Sequence, residues 1–431
     1  MRSNKRKLTP AVAFGSAALL ITGVASCAAN DPSGSSGGDG SKNLEITSWW
    51  TSGSEAEALN VLIDAFESAT DYKVENAAVS GGGGANARQA LAARLQAGNP
   101  PDAWQLHPAG QTQDYVSGGQ LGDITDLWEE GNWAERMPDN VVKAQQVDGK
   151  FYTVPIGVHR GNVLWTNVSV LDEAGVTIDE RGSVDDLITE LRKVEENGTT
   201  PVCLGDKDIF ASAELLESIM MSRLGSENYS KLWTKEYSFD SPEVRQSLED
   251  YAQFLEMANS DHTALTWDEA AKNMANGNCA VTLMGDWAYG ELVNAGFEPE
   301  TEFGWVTFPS SEDIFSYVGD GFSIASKNVP NPDAAREWLK ILVDPEVQAK
   351  FAAAKGSIPA LRDADTSSLS AYQQQASESF GSAAIVSSIA HAQASNAEMT
   401  RIFADAVTSF NGNQNVDAFI SSVTSAQDQL D

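Results

Sequence analysis

The chain has 431 residues, 42% of them hydrophobic, and a formal net charge of −33. A surface that acidic disfavours nucleic acid, anionic membrane patches and polyanionic ligands, and is compatible with an uncharged small ligand. The length suits two domains of ordinary size.

The first residues form a separate unit. Arg2, Lys5, Arg6 and Lys7 make a basic head, and a short apolar run, broadly 11–24, follows it. That layout fits an export signal; the run is interrupted by Gly15 and Ser16 and is shorter than a comfortable membrane span. Val24-Ala25-Ser26-Cys27 resembles a bacterial lipobox, in which residues 1–26 are removed and Cys27 receives lipid, palmitate included. The alternative is an ordinary cleaved signal with Cys27 incidental. Residues 27–42 then read as the lipidated Cys and a Gly/Ser-rich tether. Loss of the four basic residues takes the charge to −37.

The body opens with a strand, Leu44 to Thr47, ending at Ser48-Trp49-Trp50. Leu59, Leu62, Ile63 and Phe66 then recur at helical spacing, so a helix is predicted from about Ser54. Tyr72 to Asn76 reads as a second strand. Ser80-Gly81-Gly82-Gly83-Gly84 leads into a helix carrying Leu91 and Leu95, which Gly98-Asn99-Pro100-Pro101 stops. A third strand is Ala103 to His107. This alternation predicts a mostly parallel sheet covered by helices. Helices are expected at 183–195 and 210–224, around a short strand holding Cys203. A strand over 280–284 ends in Gly285-Asp286-Trp287, and Asp286 is read as the cap of the following helix. Residues 316–324 form a glycine-punctuated strand. Two helices, 332–342 and 345–354, are split at Asp344-Pro345. Residues 369–430 read as helical throughout. Cys203 and Cys279 lie in short apolar segments of an exported chain, so they either pair or stay as buried thiols. No Cys or His pair has metal-ligand spacing.

Signatures of catalysis are scarce. There is no Gly-x-Ser-x-Gly elbow and no Walker loop, and the Ser80–Gly84 run lacks the lysine of a phosphate-binding loop. A glycosidase carboxylate pair is the surviving enzymatic alternative, and in so acidic a chain any two carboxylates could be chosen. Eleven tryptophans are present, and Trp49, Trp50 and Trp287 stand where strands end. Ligands of open α/β sheets sit at the carboxyl ends of strands. Adjacent Trp49 and Trp50 point to opposite sides, so at least one of them is expected at the surface. Indole faces stack on the C–H faces of sugars, and polar side chains satisfy the hydroxyls.

Together the motifs resemble an extracellular solute-binding protein of a bacterial ABC sugar importer. The general features are the lipoprotein start, Pro101-Asp102, Gly285-Asp286-Trp287-Ala288, and the run Pro332 to Lys340 leading to Gly356-Ser357-Ile358-Pro359-Ala360. Ser48-Trp49-Trp50, the 79–88 glycine run, Trp104-Gln105-Leu106-His107, the segment Val158 to Trp165, Leu265-Thr266-Trp267, Lys355-Gly356-Ser357-Ile358 and Ser388-Ile389-Ala390-His391 resemble its glucose/mannose-binding branch. The resemblance implies a two-lobed, periplasmic-binding-protein-like α/β fold, with the chain crossing between lobes. One lobe would hold 43–155 and 310–365, the other 156–309 and 366–431. It implies a sugar site made of Trp49, Trp50, Glu55, Gln105, His107, Trp267, Trp287, Asp320, Lys355 and His391. Trp267 and Trp287 would be stacking walls; Asp320, Glu55 and Gln105 acceptors; and Lys355 a donor. His159 and Arg160 would support the site or the hinge, and His262 would lie at the surface. It further implies no catalysis, cofactor or metal, a monomer without nucleic-acid partners, hinge closure over a neutral sugar, probed first as a monosaccharide such as glucose, and delivery to permease subunits. A sensory sugar-binding lipoprotein would share this pocket.

Overall fold

The computed structural model describes residues 42–81 and 84–430. The export signal, Cys27 and most of the tether lie outside them. No helix among the described residues is long and apolar enough to cross a membrane.

Two separate sheets organise the body. In the first, the order is Ala384–Ser387, Ile314–Ser323, Ala103–Leu106, Asn43–Thr47 and Lys73–Asn76, and Val154–Arg160 also pairs with Ile314–Ser323. Asn43–Thr47 runs parallel to both of its neighbours, whereas Ile314–Ser323 is antiparallel to Ala103–Leu106 and Val154–Arg160. The second sheet has the order Phe303–Thr307, Val163–Asn167, Cys279–Leu283 and Thr200–Val202. The chain therefore passes from one sheet to the other at Gly161-Asn162, and it returns between Thr307 and Ile314. It leaves again after Ala384–Ser387, because helices Ala397–Asn413 and Val416–Gln427 pack on Phe210–Leu232 and Pro242–Glu256.

Asn162 ties two of these passages together. Its amide nitrogen donates to Ser311 Oγ and to the Ile314 carbonyl, each at 3.0 Å, and its carbonyl accepts from Arg160 Nε at 3.1 Å. Arg160 also donates to the Ile314 carbonyl at 2.9 Å. Three buried groups thus satisfy one another where irregular backbone would otherwise leave polar atoms unpaired.

The apolar periodicity accounts for the packing. Leu59, Leu62 and Phe66 of helix Gly53–Ala69 join Ile46, Trp338 and Phe351 in one core. Leu187 and Leu191 of Val184–Glu196 meet Leu216, Tyr251, Phe254, Phe403 and Phe419 in the other. Cys203 and Cys279 are bridged, with Cα atoms 5.5 Å apart, at the parallel pairing of Thr200–Val202 with Cys279–Leu283.

Two local expectations need correction. The C-terminal region is not wholly helical: Ala384–Ser387 adds in parallel to Ile314–Ser323. Its β-branched Ile385 and Val386 suit a strand. The helix begun at Phe210 breaks where expected, at Gly225, and a second helical stretch continues to Leu232. Both Trp49 and Trp50 are buried, since the second indole is roofed by Phe351, 5.4 Å away between ring centres, rather than by solvent.

A cavity lined by tryptophans and a charged chain

The strand ends and the passages between the sheets meet around a cavity of about 540 Å³. Trp49, Trp50 and Glu55 reach it from the end of Asn43–Thr47 and the start of Gly53–Ala69. His107 follows Ala103–Leu106, Asp320 comes from Ile314–Ser323, and Trp267 opens helix Trp267–Ala275. Trp287, Lys355 and His391 complete the predicted set that lines the cavity.

Gln105 is the exception. It is buried behind the wall, where its carbonyl accepts from Trp49 N at 3.3 Å and its amide donates to Asp320 Oδ1 at 3.1 Å. Position along the strand explains this: His107 lies beyond the strand end and reaches the cavity, whereas Gln105, two residues earlier, sits inside the ladder, paired with Phe322. Gln105 holds the wall instead of lining it.

Aromatic rings form a nearly continuous collar. Trp49 and His107 are 4.9 Å apart between centroids, His107 and His391 5.2 Å, and His391 and Trp287 5.1 Å. Phe210 packs beside the last pair, 5.1 Å from His391 and 6.1 Å from Trp287. Its place in the cavity was not read from the sequence, because as the first residue of a buried apolar helix it looks like core. Lys207, Asp208, Asp268, Ser80 and Asn86 also line the opening and were missed. They stand in loops or at helix starts, where no periodicity marks them.

A charged chain runs through the floor. Asp320 Oδ2 faces His159 Nε2 at 3.0 Å, and the other nitrogen of His159 bonds Asp286. Asp286 also accepts from Arg160 N at 2.9 Å and makes no side-chain cap bond to the helix after it. Its expected capping role is thereby corrected: the carboxylate serves the buried imidazole. Burial alone would lower the His159 pKa, but the two flanking carboxylates push it up to about 9. Burial likewise opposes the Asp320 charge, and His159 overcomes it, holding that carboxyl below the usual range. Asp320 is thus an ionised acceptor at neutral pH.

Backbone irregularity aims Asp320. The register of Ile314–Ser323 against Val154–Arg160 shifts between Asp320 and Gly321, with Ile156 the extra residue of a bulge. A Cβ at Gly321 would lie 2.8 Å from the Val154 carbonyl, so only glycine allows this approach.

Within electrostatic reach of Asp320, Lys355 is buried beside Glu55, 2.6 Å away, and lies over both Trp50 and Trp287, at 5.4 and 5.7 Å from their ring centres. Charge pairing and the electron-rich indole faces together compensate its desolvation. Burial raises the Glu55 pKa against the pull of Lys355. The two imidazoles behave differently from His159. Burial pushes His107 down to about 4 and His391 well below its ordinary value, so both are neutral at pH 7. His262 is half-buried beyond this site, 3.7 Å from Asp206. Glu291 lines the cavity from helix Trp287–Asn294, accepts from Ser54 N at 3.0 Å and pairs with Lys272 at 2.6 Å. It supplies the anionic cap that Ser52 does not provide to Gly53–Ala69.

Comparison with known proteins places this cavity in context. The family model described as bacterial extracellular solute-binding protein matches residues 52–349. An ABC transporter extracellular-binding protein of Pyrococcus horikoshii is 34% identical over 356 residues, covering 82% of this chain and 80% of its own. A xylose/arabinose-binding protein of Haloferax volcanii is 28% identical, covering 78% and 73%. Among solved structures, a chitin oligosaccharide binding protein superposes with a TM-score of 0.79 at 18% identity, over 90% of this chain and 98% of that one. A maltose-bound protein of T. maritima superposes with a TM-score of 0.73 at 16% identity, over 90% and 99%. The two-sheet body is the two-lobed, periplasmic-binding-protein-like α/β fold. The chain belongs to the bacterial extracellular solute-binding proteins, and within them to the sugar receptors of ABC importers.

Proposed function

We propose that the protein captures a neutral monosaccharide, a hexose such as glucose, between two lobes and hands it to permease subunits in the membrane. The observation that carries this reading is the collar of Trp49, Trp287, His107 and His391 set against ionised Asp320 and the Lys355–Glu55 pair. Rings supply faces for sugar C–H groups, and the charged partners make the stronger hydrogen bonds to hydroxyls. A volume of about 540 Å³ is within the range of small-molecule sites. A glucose-binding protein of Saccharolobus solfataricus, 25% identical over 58% of this chain, is in keeping with a monosaccharide.

The lobes are assigned as 43–155 with 310–365, and 156–309 with 366–431, except that 156–160 and 384–387 pair in the first sheet and go with the first lobe. Closure follows because a ligand touching both walls binds the shut form better than the open one. The sugar is bound without chemical change, by a monomer. Cys27 carries the lipid that tethers this body to the outer face of the membrane. Eleven tryptophans, several at the cavity, make intrinsic fluorescence a direct assay. Titration with glucose, mannose, galactose, xylose and maltose is expected to show saturation near micromolar concentration for a hexose, about 8 kcal/mol. Saturation by maltose alone would contradict the monosaccharide assignment. Cys27→Ser is expected to release the protein from cells into the medium, and retention in the membrane fraction would contradict the anchor.

A further inference from the structure

Helix Phe210–Leu232 buries a carboxylate that the sugar contacts do not use. Glu217 accepts from Ile389 N at 2.8 Å, Ala390 N at 3.2 Å and Tyr229 Oη at 3.1 Å, all through Oε2. Its other oxygen, Oε1, is 2.6 Å from Ser388 Oγ. Ser388 Oγ in turn lies 2.7 Å from His391 Nδ1 and accepts from His391 N at 3.3 Å. All three side chains are buried.

The proton positions follow from this network. An ionised Glu217 only accepts, so the Ser388 hydroxyl donates to it. Ser388 then offers lone pairs to His391, so the neutral imidazole must carry its proton on Nδ1. That leaves Nε2 as an acceptor at the free edge of a ring lining the cavity. His107 reaches the same state by another route: its Nδ1 donates to the Gly319 carbonyl at 3.0 Å, and its buried Nε2 has no partner among the described residues.

We propose that Glu217 and Ser388 are positioning residues that fix His391 as a hydrogen-bond acceptor, so that His391, His107 and Asp320 form a floor that only accepts. Such a floor selects a ligand presenting several adjacent hydroxyl donors, and refuses one that presents a carboxylate there. The proposal rests on the sugar-binding reading for its consequence, but the proton arrangement can be measured without sugar.

Glu217→Gln provides the sharpest test. The two backbone N–H groups of 389 and 390 keep the amide oxygen on their side, which turns the new NH2 toward Ser388. Ser388 then accepts from Gln and donates to His391 Nδ1, and the ring proton moves to Nε2. Ring ¹⁵N shifts of the sugar-free protein at pH 8.5, above the Glu217 value of about 7 to which burial raises it, report each tautomer. The expected result is an Nδ1–H His391 in the wild type and Nε2–H in Glu217→Gln, with His107 unchanged. Ser388→Ala, which needs no fold-sensitive carboxylate change, is expected to give a mixture of both His391 tautomers, and Ser388→Thr to restore Nδ1–H. A wild-type His391 protonated on Nε2, or a Ser388→Ala ring still wholly Nδ1–H, overturns the relay. Calorimetry with D-glucose is then expected to show at least a tenfold loss in Glu217→Gln. An unchanged glucose affinity alongside a flipped tautomer overturns the selective floor. Tautomers as expected in a wild type that binds none of glucose, mannose and galactose support the relay and contradict the hexose assignment instead.

Discussion

Asp320 sits between the cavity, the Gln105 amide and the His159 imidazolium. Asp320→Asn keeps the shape and removes the charge, so hexose affinity is expected to fall about tenfold or more in calorimetry, as a charged hydrogen bond is worth about 1.5–3 kcal/mol. Unchanged affinity would take Asp320 out of the site. Asp320→Ala is expected also to lower the melting temperature, because it leaves a buried cation with Asp286 alone. His159 makes stability depend on pH in a definite direction. Its folded pKa, about 9, is above the unfolded value near 6.5, so its contribution is complete below about pH 6 and is lost as pH rises toward 9. Melting curves between pH 6 and 9.5 are expected to show that loss, and His159→Gln to flatten it. A wild-type curve without it would contradict the charged imidazole. At this scale the sequence marked nine of the 21 lining residues, because tryptophans, histidines and charges at strand ends stand out from an apolar core. It could not show that Gln105 faces inward from the cavity or that Asp286 bonds His159 rather than capping a helix. Both depend on partners more than a hundred residues away.

At the scale of the elements, helix ends place the charged groups. Lys355 is the last residue of Pro345–Lys355, and Gly356 ends the helix in a left-handed conformation, φ +89°. A Cβ there would lie 2.5 Å from the Asp286 carbonyl and 2.9 Å from Gly290 N. Gly356→Ala is therefore expected to destabilise the protein by about 1 kcal/mol or more and to weaken hexose binding by displacing Lys355. A variant with wild-type melting and affinity would contradict that placement. Alternating apolar residues made the strands and helices of the first sheet legible, and Pro345 correctly divided two helices. The four residues Ala384–Ser387 were too short to show a period against the Ala- and Ser-rich helices around them, and only their pairing with Ile314–Ser323 makes them a strand. The Asp320 bulge was likewise invisible, although the glycines on either side hinted at unusual backbone.

Across the whole molecule, the pairing of Cys203 with Cys279 closes a loop of 76 residues within the second sheet. Loop-closure entropy assigns such a bridge about 4 kcal/mol, so replacing both cysteines with alanine is expected to lower the melting temperature by several degrees while leaving the cavity able to bind. Equal melting temperatures would show that the bridge contributes little. The acidic composition pointed away from polyanions, and the cavity is in keeping with that: its buried cation, Lys355, is already matched by Glu55. Two distant halves of the chain supply the walls, and only the fold brings Trp49 near His391. The most direct test is calorimetry of the protein against a neutral hexose and the corresponding hexuronate at pH 7.5 and moderate salt. Saturable one-to-one binding of D-glucose, D-mannose or D-galactose, with none of the uronate, is the expected result; tighter binding of the uronate, or binding unaffected by Asp320→Asn, would contradict the account.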